Sequence, residues 1–149
     1  AKAEMLIRRP VAETFAAFID PDLTTKFWFT KSSGPVVQGK QLQWEWEMYN
    51  ASTPVTVKAV DANKRILIEW SGPDEPNTVE WVFTPLSDDR TFVTITNSGF
   101  HGDAASQIQQ AIDSTEAFAM VLAGAKALLE HNLILNLVAD RFPAGLPSA

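Results

Sequence analysis

The sequence predicts an α+β domain in which a curved antiparallel sheet of about six strands wraps around a long C-terminal helix. Three observations carry that expectation. Leu42, Trp44, Trp46 and Met48 alternate with Gln43, Glu45, Glu47 and Tyr49, the pattern of a strand with one buried face and one wet face. Such one-sided burial is typical of antiparallel sheets. The strand-like segments that follow are joined by connections too short for crossover helices, so a meander is the economical topology. Near the C-terminus, Phe118, Val121, Leu122, Ala125, Leu128 and Leu129 recur at helical spacing and form an apolar stripe. With 149 residues the chain fits a single domain, 1–149, able to bury a sizeable core.

The opening KAEMLIRRP is strand-like up to Pro10. Proline suits the first turn of a helix, and Val11, Phe15, Phe18 and Ile19 follow helical spacing after it. Asp20-Pro21-Asp22 stops that helix, because the residue before a proline is pushed out of the helical region. Asp22 is placed to cap a second short helix through Phe27, Trp28 and Phe29. From Ser32 to Gly39 the composition is that of a loop. After the aromatic strand, Val55 to Val60 runs into the turn Asp61-Ala62-Asn63-Lys64, and Arg65 to Trp70 follows at once. Ser71 to Pro76 reads as a Gly/Pro-rich loop. Val79, Trp81 and Phe83 then alternate with Glu80, Val82 and Thr84, and Ser87-Asp88-Asp89-Arg90 turns the chain into β-branched Thr91 to Asn97. Everything after His101 reads as helix. Asp103 caps a first stretch through Ile112, Asp113 to Glu116 gives a second capping signal, Asn132 ends the striped helix, and Leu133 to Ala139 adds a further turn or two. Gly124 falls inside the stripe, where glycine costs up to about 1 kcal/mol relative to alanine. A close approach of helix to sheet is the expected compensation.

Composition narrows the function. The net charge is -6 and the only basic cluster is Arg8-Arg9, which disfavours nucleic acid. The chain has no cysteine, so disulfides, thiolate catalysis and Cys-ligated zinc are excluded, and a cytoplasmic location is expected. The most apolar stretch, Ala117 to Leu129, is broken by Gly124 and Lys126 and is too short for a membrane span. His101 and His131 stand 30 positions apart without a metal-ligand pattern, and no cofactor motif is present, so neither metal nor cofactor is expected. By alternation Glu45, Glu47 and Glu80 lie on the wet face, paired with Lys58 or Arg65, while the direction of Glu69 depends on its strand's register. Ser32, Ser33 and Ser98 lack a nucleophile-elbow pattern, and Gly34 to Gly39 is not a phosphate-cradling loop.

RRPVAETFAAFIDPDLTTKFWF, with its strand, proline, spaced apolar residues, Asp-Pro turn and aromatic pair, resembles the opening of the family similar to the C-terminal domain of the activator of Hsp90 ATPase. WEWEM, the later strands and STEAFAMVLAGAKALLEH resemble that family in place and character, from Met5 to about His131. The resemblance implies the helix-grip fold of the broader START/Bet v 1-like (SRPBCC) group, whose members commonly enclose a cavity between sheet and long helix.

On that plan Trp44, Trp46, Met48, Trp70, Trp81 and Phe83 face the helix residues Phe118 and Leu122, with Phe18 and Trp28 contributed by the short helices. These ten residues are the expected ligand-binding wall. They form either a packed core or a partly open apolar cavity, the common form of a ligand site. The leading expectation is a non-enzymatic binder of a small hydrophobic molecule. One alternative is an interaction protein of Hsp90-activator-like, co-chaperone or stress-response type, with a protein partner and a possible homodimer. The other is a cyclase- or hydratase-like enzyme using a pocket-lining Glu, Asp or Tyr49.

Overall fold

Alternating side chains and short turns build one antiparallel sheet. The computed structural model describes residues 1–71 and 75–147. Its strands are β1 (Lys2–Ile7), β2 (Lys31–Ser32), β3 (Gln41–Trp46), β4 (Ala51–Asp61), β5 (Arg65–Trp70), β6 (Asn77–Ser87) and β7 (Arg90–Ser98). Among the described residues these seven pair in the order β1-β7-β6-β5-β4-β3-β2. From β2 to β7 the order is a meander, and β1 closes on β7 at the far edge. The described residues also form the α-helices α1 (Val11–Ile19), α2 (Pro21–Thr24), α3 (Ala104–His131) and α4 (Leu137–Asp140). Gly72 to Asp74 of the loop expected at Ser71 to Pro76 lie outside the described residues.

The expected strands are all present, and one is added. Lys31–Ser32 forms a two-residue edge strand opposite Glu45 and Trp44, where the composition reads as loop. The turn at Asp61 to Lys64 is closed by the Lys64 N–H to the Asp61 carbonyl at 3.0 Å, with Asn63 in the left-handed region. β4 begins earlier than expected and includes Pro54 opposite Gln43.

Three local expectations need correction. Asp20, not Asp22, caps α2: its carboxylate accepts the Asp22 N–H at 3.0 Å, and Pro21 takes the first helical position. The helix then stops at Thr24, short of the aromatic run. Phe27, Trp28 and Phe29 are all buried, and three consecutive inward side chains cannot share one face of a helix. The alternation of β3 likewise ends at Trp46. Glu47–Tyr49 forms a single 3-10 turn and Asn50, at φ 49°, reverses the chain into β4. Met48 therefore leaves the inner face and is 40% exposed. Lastly, α3 is continuous for 28 residues. Asp103 caps it by accepting the Ser106 N–H at 2.8 Å, and Asn132 ends it with φ 54°. The signal at Asp113 to Glu116 is absorbed, since the Thr115 hydroxyl donates to the Ala111 carbonyl one turn back.

The core lies between the inner face of the sheet and the second half of α3. Val55, Val57, Ile66, Ile68, Val79, Trp81, Val93 and Ile95 meet Phe118, Val121, Leu122 and Ala125. Each large apolar side chain buried there contributes about 1.5–3 kcal/mol. Gly124 is buried as expected, but its close neighbour is not the sheet. A Cβ there would stand 3.1 Å from Phe27 Cβ and 3.4 Å from the Phe27 carbonyl oxygen, so α3 presses on the aromatic segment after α2.

Candidate functional site: an aromatic pocket under a C-terminal strap

Burying Phe27, Trp28 and Phe29 as a run places Trp28 in the middle of the space between sheet and helix. Its ring lies 5.1 Å from Trp44, 5.6 Å from Phe118, 5.9 Å from Trp81 and 6.0 Å from Trp70, centroid to centroid. Phe29 stacks on Trp44 at 4.6 Å. Most of these contacts are edge-to-face, the geometry aromatic quadrupoles favour. The centre of the expected cavity is therefore filled by rings.

Toward the β3–β4 side the filling stops. A pocket of about 270 Å³ opens there, with Trp28, Trp46 and Trp70 as its aromatic wall. Ala117, Met120 and Val121 of α3 form the opposite side, and Tyr49 and Ala51 one end. Val138, Arg141 and Phe142, from α4 and the residues after it, lie across it as a strap.

The strap is held by named contacts. The Tyr49 hydroxyl donates to the Val138 carbonyl, lies 3.2 Å from the Ala139 carbonyl, and accepts the Phe142 N–H at 3.3 Å. The Tyr49 and Phe142 rings meet edge-on at 5.9 Å. Arg141 donates through Nε and Nη2 to the Glu116 carboxylate on α3, and its guanidinium sits 4.2 Å from the Phe142 ring centroid. The hydrogen bond that it donates to Glu116 holds the Arg141 guanidinium pKa above its ordinary value. Asn50 makes this possible locally, because its left-handed turn leaves Tyr49 at the end of the sheet, within reach of the strap.

Behind the wall a polar network fixes Trp70. Its indole N–H donates to Asn77 Oδ1 at 2.7 Å, and Asn97 Nδ2 donates to the same oxygen at 2.6 Å. The Ser114 hydroxyl of α3 donates to Asn97 Oδ1 at 2.8 Å. Both asparagines are buried, so the network ties the ring's orientation to the helix. By contrast, the buried indole N–H groups of Trp44 and Trp81 have no hydrogen-bond partner among the described residues, and neither ring lines the pocket.

Of the ten residues expected to form the wall, Trp28, Trp46 and Trp70 line the pocket. Phe18, Trp44, Trp81, Phe83, Phe118 and Leu122 are packed in the core around it, each 4% exposed or less. Met48 stands apart, in a small surface depression of about 80 Å³. The pocket residues outside those ten are Tyr49, Ala51, Ala117, Met120, Val121 and the strap. Met120 falls beside the helical stripe, and no periodicity links the strap to residues some 90 positions earlier.

The acidic residues expected on the wet face are there. Glu80 pairs with Arg65 at 2.6 Å, Glu45 with Lys31 at 3.8 Å, and Glu47 is exposed. Glu69 shares that outer face, since Ile66 and Ile68 are the buried partners of its strand. Among the described residues no His, Asp and Glu cluster is placed to hold a metal ion, and no helix is long and apolar enough to cross a membrane.

Comparison with known proteins agrees with this architecture. No curated protein matches the chain. A solved structure from Staphylococcus saprophyticus is similar at 28% identity and a TM-score of 0.73, covering 90% of this chain and 93% of its own. The Aha1 dimer from Colwellia psychrerythraea is similar in fold at 19% identity and a TM-score of 0.74, over 87% and 95% of the two chains. An HSP90 activator from Plasmodium falciparum is similar in fold at 13% identity and a TM-score of 0.67, again over 87% and 95%. Residues 8–130 match the family described as Activator of Hsp90 ATPase homolog 1-like protein. With that match running from the end of β1 almost to the end of α3, the chain belongs to the Activator of Hsp90 ATPase homolog 1-like family.

Proposed function

We propose that this protein binds a small hydrophobic molecule in the pocket between Trp46, Trp70, α3 and the strap. The observation that carries the reading is a pocket of about 270 Å³ walled by three tryptophans inside an otherwise ring-filled domain. Ligand sites are mostly apolar concavities with a few polar groups at their margin, and Tyr49 and Arg141 are those groups here. Among the described residues the wall carries no carboxylate or histidine, which supports a binder over a cyclase or hydratase. A cysteine-free chain fits a reducing compartment, and the proposed setting is cytoplasmic.

Titration of the purified protein with a panel of fatty acids, sterols and aromatics tests this. Intrinsic tryptophan fluorescence is expected to change saturably with at least one class, and Trp46→Ala to weaken that binding. A flat response across the panel overturns the reading.

A specific observation also favours a second role as an interaction protein of the co-chaperone or stress-response kind. The first turns of α3 are largely exposed, and Ile108 and Ile112 on them are 60% and 56% exposed. Ile108, together with Phe100, Ala104 and Ala111, borders an open groove. Exposed apolar stripes of this kind serve protein partners, including a second copy of the chain. Sedimentation of the wild type and of Ile108→Glu separates these cases: a dimer dissolved by the substitution supports self-association, and an unchanged monomer leaves only a different protein as partner.

A further inference from the structure

The pocket has one charged group in its wall, and that group belongs to the strap. Resting on the ligand-binding reading above, the geometry points to a carboxylate-bearing amphiphile as the ligand, its head on Arg141 and its chain against Trp46 and Trp70. Several observations converge. The one proton of the Tyr49 hydroxyl is taken by the strap carbonyls, so a head group that accepts hydrogen bonds is left with Arg141. A guanidinium has five N–H donors in a planar fork, and Glu116 takes only Nε and Nη2. Among the described residues Nη1 donates to nothing, which leaves an edge for a second carboxylate.

The Arg141–Glu116 pair is also solvent-screened, its side chains 40% and 44% exposed, so sharing or exchanging the guanidinium costs little. Glu116 and, one turn earlier on α3, Asp113 lie near the guanidinium and repel a free anion arriving from solvent. A carboxylate therefore binds Arg141 well only when an apolar chain holds it there, which selects amphiphiles over inorganic anions. Size gives the third limit. At roughly 30 Å³ per water-sized group, 270 Å³ admits about nine non-hydrogen atoms, the dimensions of an eight-carbon chain. Finally, the family match ends at residue 130, so Arg141 and the strap are features of this chain outside the matched region.

Calorimetric titration with octanoate, octanol and octyltrimethylammonium tests the assignment on the wild type, Arg141→Met and Arg141→Lys. Wild-type protein is expected to bind octanoate about tenfold more tightly than octanol, the size of a charge-assisted hydrogen bond. Arg141→Met is expected to abolish that preference, bringing the ratio of octanoate to octanol affinity to about one. Arg141→Lys is expected to retain part of it, because it keeps the charge without the fork. The assignment is overturned by equal affinities for octanoate and octanol, by a preference that survives Arg141→Met, or by tightest binding of octyltrimethylammonium. If octanol binds and octanoate gains nothing, the pocket reading stands and the head-group assignment falls. If neither binds, both fall.

Discussion

The two ends of the helix–sheet interface are built differently. At the end where α3 finishes, its contacts are rigid. Lys126 Nζ reaches the Leu6 carbonyl at 2.7 Å and the Glu130 carboxylate at 2.6 Å, while Glu130 accepts the Arg8 N–H at 2.9 Å. Arg9 adds a bond from Nη2 to the Glu130 carbonyl at 3.1 Å, and Gly124 lets the helix touch Phe27. At the other end, the helix faces a pocket, and the cover is a strap fastened by one phenol and one exposed ion pair. The same helix thus anchors the fold with a network of partly buried polar contacts on one turn and leaves a single exposed ion pair over the pocket on another. Stability and access are separated along its length.

Substitutions at the anchored end are expected to have the larger effects. Gly124→Leu forces four carbons against Phe27 Cβ and its backbone oxygen, and a loss of about 3 kcal/mol in urea-denaturation stability is expected from overpacking. A stability equal to wild type would show that α3 and Phe27 are free to separate, which removes the contrast between the two ends.

Glu130→Gln comes next, with a loss of about 1.5 kcal/mol near neutral pH as charge-assisted bonds from Lys126 and the Arg8 N–H are weakened. Burial pushes the Glu130 carboxyl up, but the hydrogen bonds from Arg8 and Lys126, with the Lys126 charge, outweigh it and hold the pKa below the ordinary carboxylate value. A depressed folded-state pKa contributes stability that is present above the unfolded value and lost as pH falls through the folded one. Wild type and Glu130→Gln are therefore expected to converge in stability on acidification. A gap that persists at low pH would assign the loss to packing instead.

Tyr49→Phe is expected to have the smallest global effect and the most local one. Removing the hydroxyl frees the Val138 and Ala139 carbonyls and the Phe142 N–H at a cost of about 1 kcal/mol, confined to the strap. Amide hydrogen exchange should accelerate at residues 138 to 142 while the β5–β7 amides stay protected. Equal acceleration in both would mean that the strap unfolds with the domain and is no separate cover.

The same contrast explains what could be read from the sequence. Strand register over Leu42 to Trp46 was legible because apolar and polar residues alternate without a break, and a one-residue slip would bury Glu45. The stripe on α3 was legible for the same reason, as was Asp103, whose cap is a local bond to Ser106. Met48 departs from the pattern because the alternation ends at Trp46, where the 3-10 turn Glu47–Tyr49 and left-handed Asn50 reverse the chain. Trp28 could be nominated as a wall residue, yet its central position depends on three consecutive inward side chains, its own and those of Phe27 and Phe29, which no periodicity encodes. The strap was the least legible part. Val138, Ala139 and Phe142 meet Tyr49 across about 90 residues, and Arg141 meets Glu116 across 25, with contacts made by single atoms and no repeating pattern.

The central claim is that the open end of the interface, and not its ring-filled centre, receives an apolar molecule. Indole Nε1–H resonances report on it directly, because the five tryptophans divide between the two places. On titration with octanol, the signals of Trp28, Trp46 and Trp70 are expected to shift saturably and together, while those of buried Trp44 and Trp81 shift little. Saturable shifts confined to Trp44 and Trp81, or none at any of the five, would contradict it.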